Sequence, residues 1–348
     1  MKILSSPTLA QLSEFDEVID VRSPAEFEAD HIPGATSHPV LNDEERARVG
    51  TLYVQESPFL AKKIGAAIVS RNIARHLENS FIDKPKTWRP LVYCWRGGKR
   101  SGAMAHILSE IGWQTTRLEG GYKAYRKMVL EALEVLPGRF EFRVICGPTG
   151  CGKSRLLDAL AKLGEQVLNL EEIARHRGSV LGRMPGLEQP SQKYFESCIC
   201  SMLSGFDPAR PVYIESESKK IGSLRVPQAL MEAMWKGRCI RLDAGITVRN
   251  AILAEDYRHF FSQPEALLEK LDCLAPLHGG ETIESWQAMI ERCDWDNLVA
   301  SLLERHYDPA YRKSIEKHYE NYSEISVIEV PSPEESTFTT LAGKIRAD

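Results

Sequence analysis

The chain has 348 residues, of which 43% are hydrophobic and 26% are charged, and its formal net charge is −4 at pH 7. This length favours two domains, and the hydrophobic content is sufficient for real cores. The negative charge argues against a general nucleic-acid binder, so a nucleic-acid substrate would need a local basic surface. The sequence has no apolar run of roughly 18 residues and no signal-peptide pattern, so we expect a cytoplasmic protein without a membrane partner.

The first third of the chain alternates strand and helix patterns, which predicts an α/β domain with a mostly parallel sheet. A helical insertion interrupts the pattern at about residues 42–80. The other predicted elements, in chain order, are strands at Glu17–Arg22 and Leu91–Cys94, a helix at Ser101–Ile111 ended by Gly112, a strand at Thr115–Leu118, and a helix from Tyr122 to about Leu133.

A Leu-Pro-Gly sequence at residues 136–138 is the predicted boundary, which gives domains at 1–136 and 139–348. The second domain again alternates strands and helices, and we expect a mostly helical part from Pro264 to Tyr322. Its predicted elements are strands at Phe140–Cys146, Gln166–Leu170, Val212–Glu215, Cys239–Asp243 and Ser326–Val330, a helix at Lys153–Leu163, and a closing helix near Glu334–Arg346.

Eight cysteines are scattered without the spacing of a disulfide framework or a zinc site. We therefore expect no disulfide and no zinc, and we interpret most of these thiols as small buried hydrophobic residues. Two of them, Cys94 and Cys151, lie inside glycine-rich motifs and need separate treatment.

The first motif places a thiol among positive charges in VYCWRGGKRS, residues 92–101. Cys94 ends a predicted strand and precedes a helix, and the two glycines allow backbone N–H groups to point inward. The helix N-terminus and the cations Arg96, Lys99 and Arg100 add positive charge. Such surroundings favour a nucleophilic thiolate that holds an anionic adduct.

Several segments resemble the motifs of the rhodanese family, in the order in which that family has them. The resemblance implies that Cys94 is the catalytic nucleophile and carries a sulfane sulfur, or selenium, as a persulfide or perselenide stabilised by Arg96 and Arg100. It implies structural roles for Asp20 and His31. The matching segments are DVRSP at 20–24, EF at 26–27, HIPGA at 31–35, CWRGGKRS at 94–101 and LEGG at 118–121.

The spacing from Cys94 to Arg100 and Ser101 also fits a cysteine phosphatase, which likewise needs a thiolate in an anion-binding loop. Tyr93 stands where that family usually has His, and the entry motif belongs to rhodaneses. The rhodanese interpretation is therefore favoured.

The second motif, GPTGCGKS at 147–154, matches the phosphate-binding P-loop pattern G-x4-G-K-[ST]. An apolar strand precedes it and a helix follows, as a phosphate cradle requires. We interpret Cys151 as a space-filling residue, and Ser154 would reach Mg²⁺ where this ion is used. The predicted diphosphate-binding residues are Gly147, Gly150, Gly152, Lys153 and Ser154.

An ATPase also needs an acidic residue after a hydrophobic strand, and the candidates are Glu215 and Asp243. Glu215 departs from the usual Asp, and no residue clearly positions an attacking water, so the motif indicates diphosphate binding more strongly than ATP hydrolysis. The cluster HRGS at 176–179 ends a predicted helix, where a polar C-cap is an equal alternative to a ligand contact. The cations after Glu215 would lie near the phosphate end of a parallel sheet, and scattered surface cations are an equal alternative there. The predicted substrate contacts from these clusters and the neighbouring cations are His176, Arg177, Lys219, Lys220 and Arg249.

A rhodanese unit followed by a P-loop unit, with the segments HRGS and IESESKKIG, resembles the tRNA 2-selenouridine synthase family over nearly the whole chain. The resemblance implies that wobble 2-thiouridine of tRNA is converted to 2-selenouridine with selenophosphate as the selenium donor. It also implies an S-geranyl intermediate made from geranyl diphosphate, no tightly bound cofactor, and an enzyme that supplies selenophosphate as a partner.

Two other functions stay open from the residues alone. An ATP-dependent tRNA sulfurtransferase would hydrolyse nucleotide when RNA is present. A sulfur-relay rhodanese with a regulatory nucleotide-binding domain would leave no product on RNA. Nucleoside mass spectrometry of thiolated tRNA separates these three alternatives.

Overall fold

The computed structural model describes residues 2–347 except 6–7, 180, 185, 262–263, 319–324 and 326. The strands in this part of the chain are β1 Lys2–Leu4, β2 Glu17–Asp20, β3 Thr36–Ser37, β4 Pro90–Tyr93, β5 Thr116–Leu118, β6 Phe142–Cys146, β7 Gln166–Leu168, β8 Val212–Glu215, β9 Lys220–Ile221, β10 Leu224–Arg225, β11 Arg238–Asp243 and β12 Val327–Glu329. The helices are α1 Leu9–Leu12, α2 Pro24–Ala29, α3 Asp43–Gln55, α4 Pro58–His76, α5 Lys99–Ile111, α6 Gly121–Val135, α7 Lys153–Lys162, α8 Leu170–Ala174, α9 Gln192–Gly205, α10 Gln228–Lys236, α11 Ile246–Asp256, α12 Arg258–Phe261, α13 Pro264–Asp272, α14 Ala275–His278, α15 Gly280–Glu291, α16 Trp295–Leu302, α17 Asp308–His318 and α18 Glu335–Ala347.

The chain divides into two compact units, one formed by residues 1–136 and 190–205 and the other by 137–189 and 206–348. The first unit is built on a five-stranded parallel sheet in the order β1-β5-β4-β2-β3. β4 is buried along its whole length, as an apolar central strand of a parallel sheet should be. Its carboxyl end therefore places the residue that follows, Cys94, at the edge of the sheet where ligands bind.

The helical insertion of the first unit forms α3 and α4. Asn42 caps α3, because its side chain accepts from the N–H of Glu45 at 2.8 Å while the Glu45 carboxylate accepts from the N–H of Asn42 at 2.9 Å. Ser57 caps α4, and Pro58 occupies the first helical position, where its missing N–H costs nothing. Two strong start signals thus split the insertion into two helices.

Helix α9 packs in the first unit, although the sequence boundary assigns it to the second. Arg126 of α6 forms an ion pair with Glu196 and donates to the backbone carbonyl of Lys193 at 3.1 Å. The ring of Tyr194 lies 4.3 Å from that of His31. A domain boundary predicted from local Pro and Gly residues cannot reveal that α9 packs in the first unit, because the contacts that place it there join residues distant in sequence.

The second unit has its own five-stranded parallel sheet, in the order β12-β11-β6-β8-β7. β6 lies in the middle, and the glycine-rich loop after it leads into α7. Ile145 of β6 pairs with Glu215 of β8, so the loop and this carboxylate emerge at the same edge of the sheet. The fold is α/β with parallel sheets, a rhodanese-like unit and a P-loop-like unit, as the sequence predicts.

Several local features of the fold differ from the sequence analysis. The short strands β1 and β3 and the antiparallel pair of β9 and β10 were not predicted, because they carry too few residues for a periodic signal. Cys146 and Cys239 form a disulfide, so the expectation of unpaired thiols is wrong for this pair. Neighbouring parallel strands bring their Cα atoms to 6.2 Å, within the range that a disulfide spans.

The predicted final strand begins at residue 326, which lies outside the described residues, and β12 covers the part that follows. None of the helices described has both the length and the apolar character that crossing a membrane would require.

Candidate functional site

The first candidate site is the loop between β4 and α5. The sulfur of Cys94 is buried and receives two hydrogen bonds, from the N–H of Gly98 at 3.3 Å and from the hydroxyl of Ser101 at 3.2 Å. The loop thus directs donors at the sulfur, and α5 adds its positive N-terminus. This arrangement suits a sulfur that carries negative charge or an anionic adduct. The sequence analysis missed the role of Ser101, although its spacing from Cys94 was visible.

The turn before α6 closes this loop. Gly97 has φ +62° and Gly121 has φ +56°, conformations that other residues rarely adopt. A side chain at Gly121 would collide with the carbonyl oxygen of Cys94, and one at Gly97 with that of Leu118. The close approach lets the N–H of Tyr122 donate to the Cys94 carbonyl at 2.8 Å. The glycines of the CWRGGKRS and LEGG motifs therefore allow the Cys94 loop and the turn before α6 to pack closely together.

The cations of the first loop divide into two kinds. Arg96 and Lys99 are exposed. Arg100 is half-buried and donates to the carboxylate of Glu26 at 2.7 and 3.3 Å. Burial acts to raise the pKa of Glu26, but its hydrogen bonds and its charge interactions with Arg100 outweigh burial and lower that pKa. The structure thus gives Arg100 a partner 74 residues away in the chain.

Asp20 and His31 have the structural contacts that the resemblance implies. Asp20 and Arg22 form a buried ion pair with a closest distance of 2.6 Å. The imidazole of His31 lies 2.8 Å from the carbonyl of Phe27 and stacks on the Phe27 ring at 3.8 Å. These contacts tie the entry motif together.

The second candidate site is the loop between β6 and α7. Gly147, Gly150 and Gly152 have φ values of +152°, +82° and +84°. These backbone conformations favour glycine and let the loop curl around a phosphate-sized space. The Lys153 ammonium donates to the carbonyl of Gly147 at 3.0 Å across the loop, and Cys151 is fully buried beneath it. Burial raises the pKa of Cys151, which agrees with a neutral, space-filling thiol.

Three carboxyl groups surround Lys153. Burial raises the pKa of Glu217 to about 8, with repulsion from Glu171 as the second cause. The same two causes raise the pKa of Glu215 well above its usual value. Burial likewise raises the pKa of Glu171. Burial acts to lower the pKa of Lys153, but Cys151 and the three glutamates outweigh burial, so its pKa is raised. The ammonium is therefore held charged beside three buried carboxyl groups whose pKa values are raised.

Hydrogen bonds link this cluster to the P-loop. The hydroxyl of Ser154 donates to Glu171 at 3.3 Å, and the N–H of Glu171 donates to Glu215 at 3.2 Å. The other oxygen of Glu215 is buried and has no hydrogen-bond partner. Sequence reasoning identified Glu215 but missed Glu171 and Glu217. Glu217 was visible in the sequence two residues after Glu215. Glu171 lies at the start of a separate helix, and no motif in the sequence pointed to it.

A cavity of about 360 Å³ opens over the P-loop. One wall is polar and contains the loop, Glu171, Glu217 and the segment Arg177–Ser179. A smaller apolar cavity of about 50 Å³ adjoins it and shares Thr149, Leu253, Tyr257 and Tyr307 with it. The lining of the larger cavity also includes the apolar and aromatic residues Trp235, Ile252, Leu253, Tyr257, Tyr307, Ala310 and Tyr311.

Of the other predicted contacts in the second unit, the structure places Arg177 at the cavity. Its guanidinium pairs with Asp256 at 2.9 Å. His176 is buried and does not line this cavity, and burial lowers its pKa. Lys219 and Lys220 are exposed and lie outside the cavity lining.

The remaining predicted residues do not line the cavity. Asp243 is exposed and is not part of its lining. Arg249 is buried behind the P-loop, where it donates to the carbonyl of Thr149 at 2.8 Å and pairs with Asp308. Among the described residues, no group of three or more His, Cys, Asp or Glu side chains is arranged to hold a metal ion.

Comparison with known proteins finds a family model for each part of the chain. Residues 140–270 match the family model for the tRNA 2-selenouridine synthase AAA domain, and residues 5–128 match the rhodanese-like domain. Among solved structures, the chain resembles a rhodanese-related protein from Thermoplasma volcanium at 18% identity and a TM-score of 0.24, covering 38% of this chain and 93% of that one.

Curated relatives extend the match over most of the chain. A tRNA 2-selenouridine synthase of Shewanella halifaxensis is 31% identical over 86% of this chain and 89% of its own length, and one of Alcanivorax borkumensis is 31% identical over 84% and 88%. The tRNA 2-selenouridine synthase of Nitrosomonas europaea is 35% identical over 69% of this chain, and the match covers 63% of the length of that relative. The chain belongs to the tRNA 2-selenouridine synthase family.

Proposed function

We propose that this chain is a transferase that converts wobble 2-thiouridine of tRNA to 2-selenouridine, with S-geranyl-2-thiouridine as the intermediate. Membership of the family supports a tRNA-modifying enzyme that forms selenouridine. The observation that carries the finer proposal is the pair of anion-binding loops, one around a buried thiol and one beside an apolar wall. Selenophosphate and geranyl diphosphate are the cosubstrates that match these two loops.

The P-loop would serve the geranylation step. The sulfur of 2-thiouridine attacks C1 of the geranyl group, an S–C bond forms, the C–O bond to the diphosphate breaks, and the base releases its N3 proton. The charge that develops on the departing diphosphate would be stabilised by Lys153 and by the loop N–H groups. Because the pKa of Lys153 is raised, this ammonium is charged at neutral pH.

The cavity beside the P-loop supports a prenyl diphosphate. The donor needs a polar site for its head and an apolar wall for its ten-carbon chain, and the cavity has both. The adjoining apolar cavity extends the same wall past Tyr257 toward Phe260 and Leu298. In this proposal the geranyl chain lies along that wall.

A Mg²⁺ ion would fit beside the diphosphate. Hydroxyl and carboxylate oxygens are its preferred ligands, and the unpartnered oxygen of Glu215 shows that this cluster has an unused acceptor. Ser154 and Glu215 would hold the ion together with diphosphate oxygens. Bound there, it would neutralise part of the charge that the diphosphate and the carboxylates share.

The Cys94 loop would serve the selenium step, whose balance is redox-neutral. S-geranyl-2-thiouridine, selenophosphate and water give 2-selenouridine, geranylthiol and phosphate. A C2–Se bond forms, the C2–S and P–Se bonds break, and water supplies the new oxygen of the phosphate. A perselenide on Cys94 would hold selenium two electrons above selenide. A route through this perselenide would therefore need a disulfide-type oxidant to form it and a thiol to reduce it. Because the selenium step consumes selenophosphate, an enzyme that produces selenophosphate would be a partner.

The deciding experiment is mass spectrometry of nucleosides from thiolated tRNA incubated with the protein. Geranyl diphosphate alone should give S-geranyl-2-thiouridine, and the further addition of selenophosphate should give 2-selenouridine. Product that requires ATP and forms without geranyl diphosphate would overturn the proposed route.

An ATP-dependent tRNA sulfurtransferase is the second candidate function. One observation favours it: Glu215 ends the strand beside β6, which is where a P-loop ATPase has its acidic residue. RNA-stimulated phosphate release from ATP would support this alternative.

A further inference from the structure

A second polar cavity lies in the first unit, beside the Cys94 loop. It measures about 430 Å³ and includes Arg46, Trp95, Arg100, Tyr122 and Lys193 in its lining. We infer that this cavity binds an unpaired base of RNA, which stacks on Trp95 while its flanking phosphate contacts Arg46 and Lys193. The inference rests on the proposed function for the identity of the nucleic acid.

Trp95 provides an aromatic surface next to the reactive thiol. It directly follows Cys94 in the chain, lines the cavity and is 39% exposed. A base stacked on the open part of its indole would therefore bind to the loop that carries Cys94.

The indole is supported from within the unit. Trp95 stacks on Tyr122 with ring centroids 5.2 Å apart and an angle of 29°. The Tyr122 hydroxyl donates to Asp30 at 2.7 Å, and the Arg22 guanidinium lies 4.1 Å from the Tyr122 ring. Tyr122 is therefore fixed, and a fixed support lowers the entropy cost of stacking a base on Trp95.

The charge around this cavity favours a polyanion. Its lining has four cations, Arg22, Arg46, Arg100 and Lys193, and two acidic residues, Glu26 and Asp43, and Arg22 is already neutralised by its buried pair with Asp20. Glu26 forms ion pairs with both Arg46 and Arg100, so one carboxylate faces two guanidinium groups. Lys193 is exposed and half of Arg46 is exposed, which leaves both able to reach a phosphate.

These features together match single-stranded nucleic acid, which binds where cations follow the backbone and aromatic rings stack the bases. On a chain with a net charge of −4, this excess of cations is the local basic surface that an RNA substrate requires. A small anion such as selenophosphate would use the cations but would gain nothing from Trp95.

Binding of RNA to the full-length protein tests the inference without any cosubstrate. The probe is a tRNA anticodon stem-loop, compared with the same strand paired to its full complement, at fixed salt. Trp95→Leu should weaken stem-loop binding roughly 5- to 100-fold, and Trp95→Phe should restore part of it. Phe59→Leu removes an aromatic ring that is 69% exposed elsewhere in the unit and should change binding less than twofold.

The cations are tested in the same assay. Lys193→Gln should weaken binding and reduce its salt dependence by about one phosphate contact, whereas Arg48→Gln, an exposed site two residues from Arg46 on α3, should do neither. Unchanged stem-loop affinity in folded Trp95→Leu and in Lys193→Gln would overturn the inference. Because Lys193 is exposed, its variant answers the question even where Trp95→Leu fails to fold.

The outcome also separates this inference from the proposed function. If the wild-type protein binds the stem-loop and the variants bind it equally well, only the Trp95 site is wrong. If the wild-type protein binds no RNA, the tRNA substrate itself is refuted. Competition by inorganic phosphate at low millimolar concentration, equal in wild type and Trp95→Leu, would assign the cavity to a small anion instead and overturn the base-binding site.

Discussion

Arg249 and Asp308 form a paired contact behind the P-loop, with guanidinium-to-carboxylate distances of 2.9 and 2.5 Å. The third donor of Arg249, its Nε–H, bonds to the carbonyl of Thr149 at 2.8 Å. One buried side chain therefore joins α11, α17 and the phosphate loop. The sequence analysis predicted a substrate contact at Arg249, whereas in the structure its side chain supports the P-loop from the protein interior.

Asp308→Ala should reduce the free energy of unfolding by about 2–3 kcal/mol, because it leaves a buried guanidinium without its charged partner. It should also raise the KM for geranyl diphosphate, since the P-loop loses its support through Arg249. Urea denaturation and steady-state geranylation measure the two effects. Glu304→Ala, at an exposed position, is the control, and equal stability of the two variants would contradict the role of the pair.

Cys94→Ser should abolish selenium incorporation and spare geranylation. The buried sulfur and the P-loop lie in different units, so the two half-reactions should fail separately. Nucleoside mass spectrometry with each cosubstrate measures both. The same variant at Cys273, which is exposed, should retain both activities. Loss of both activities in folded Cys94→Ser would argue against this division of labour.

Lys153→Ala should reduce geranylation by roughly 10²–10³-fold, because one charge-assisted contact to the leaving diphosphate is lost. It should still convert pre-geranylated tRNA to the selenium product, since that step uses the Cys94 loop. The measurement compares thiolated tRNA plus geranyl diphosphate with pre-geranylated tRNA plus selenophosphate. Lys162→Ala, on the exposed side of α7, is the control. Equal failure on both substrates would mean that the loop serves a shared step, and would favour the ATP-dependent alternative.

Arg100→Ala should slow selenium transfer roughly 10- to 100-fold, whereas Lys99→Ala should be close to wild type. Arg100 is half-buried and bound to Glu26, while Lys99 is exposed. Glu26→Gln tells how Arg100 acts: a similar loss in this variant means that the ion pair positions the loop. Steady-state selenium transfer measures all three, and equal, mild effects in the two cation variants would remove the role of Arg100.

Glu17 should make stability depend on pH in acid. The nearby His38 imidazole, 3.7 Å away, and hydrogen bonds from Lys84 and Thr36 lower its pKa from 4.5 to about 2 despite partial burial. A lowered folded-state pKa stabilises the fold above the unfolded value, and this contribution is lost as the pH falls from about 4.5 to 2. Relative to Glu17→Gln, the wild type should gain at most about 3 kcal/mol above pH 5. Urea denaturation from pH 2 to 7 measures the gain, and Glu14→Gln, which is exposed, should show none.

Much of the fold was accessible from the sequence because its signals are local. Apolar strands, the capping pattern at Asn42 and the glycines of both loops each depend on neighbouring residues. The strand at Val212–Glu215 has the predicted bounds, and α18 is displaced from its predicted range by one residue at each end. Local rules therefore recover the central strands of both sheets and the positions of both glycine-rich loops.

The contacts that define the candidate sites were less accessible because they join distant parts of the chain. Glu26 meets Arg100, Asp308 meets Arg249, and Glu171 reaches Ser154 only after the sheet has formed. A cation in a motif is therefore easily interpreted as a ligand contact when its real neighbour is a carboxylate from another element.

The place of α9 in the first unit bears on how such an enzyme can be inherited. The chain leaves the second unit after residue 189, adds one helix to the first, and returns at residue 206. Neither unit corresponds to an uninterrupted stretch of the gene. A single recombination at the Leu-Pro-Gly boundary would strip α6 of the helix that pairs with Arg126 and covers Tyr125. Neither unit can therefore be cut out of the chain as one continuous segment without losing part of its own packing.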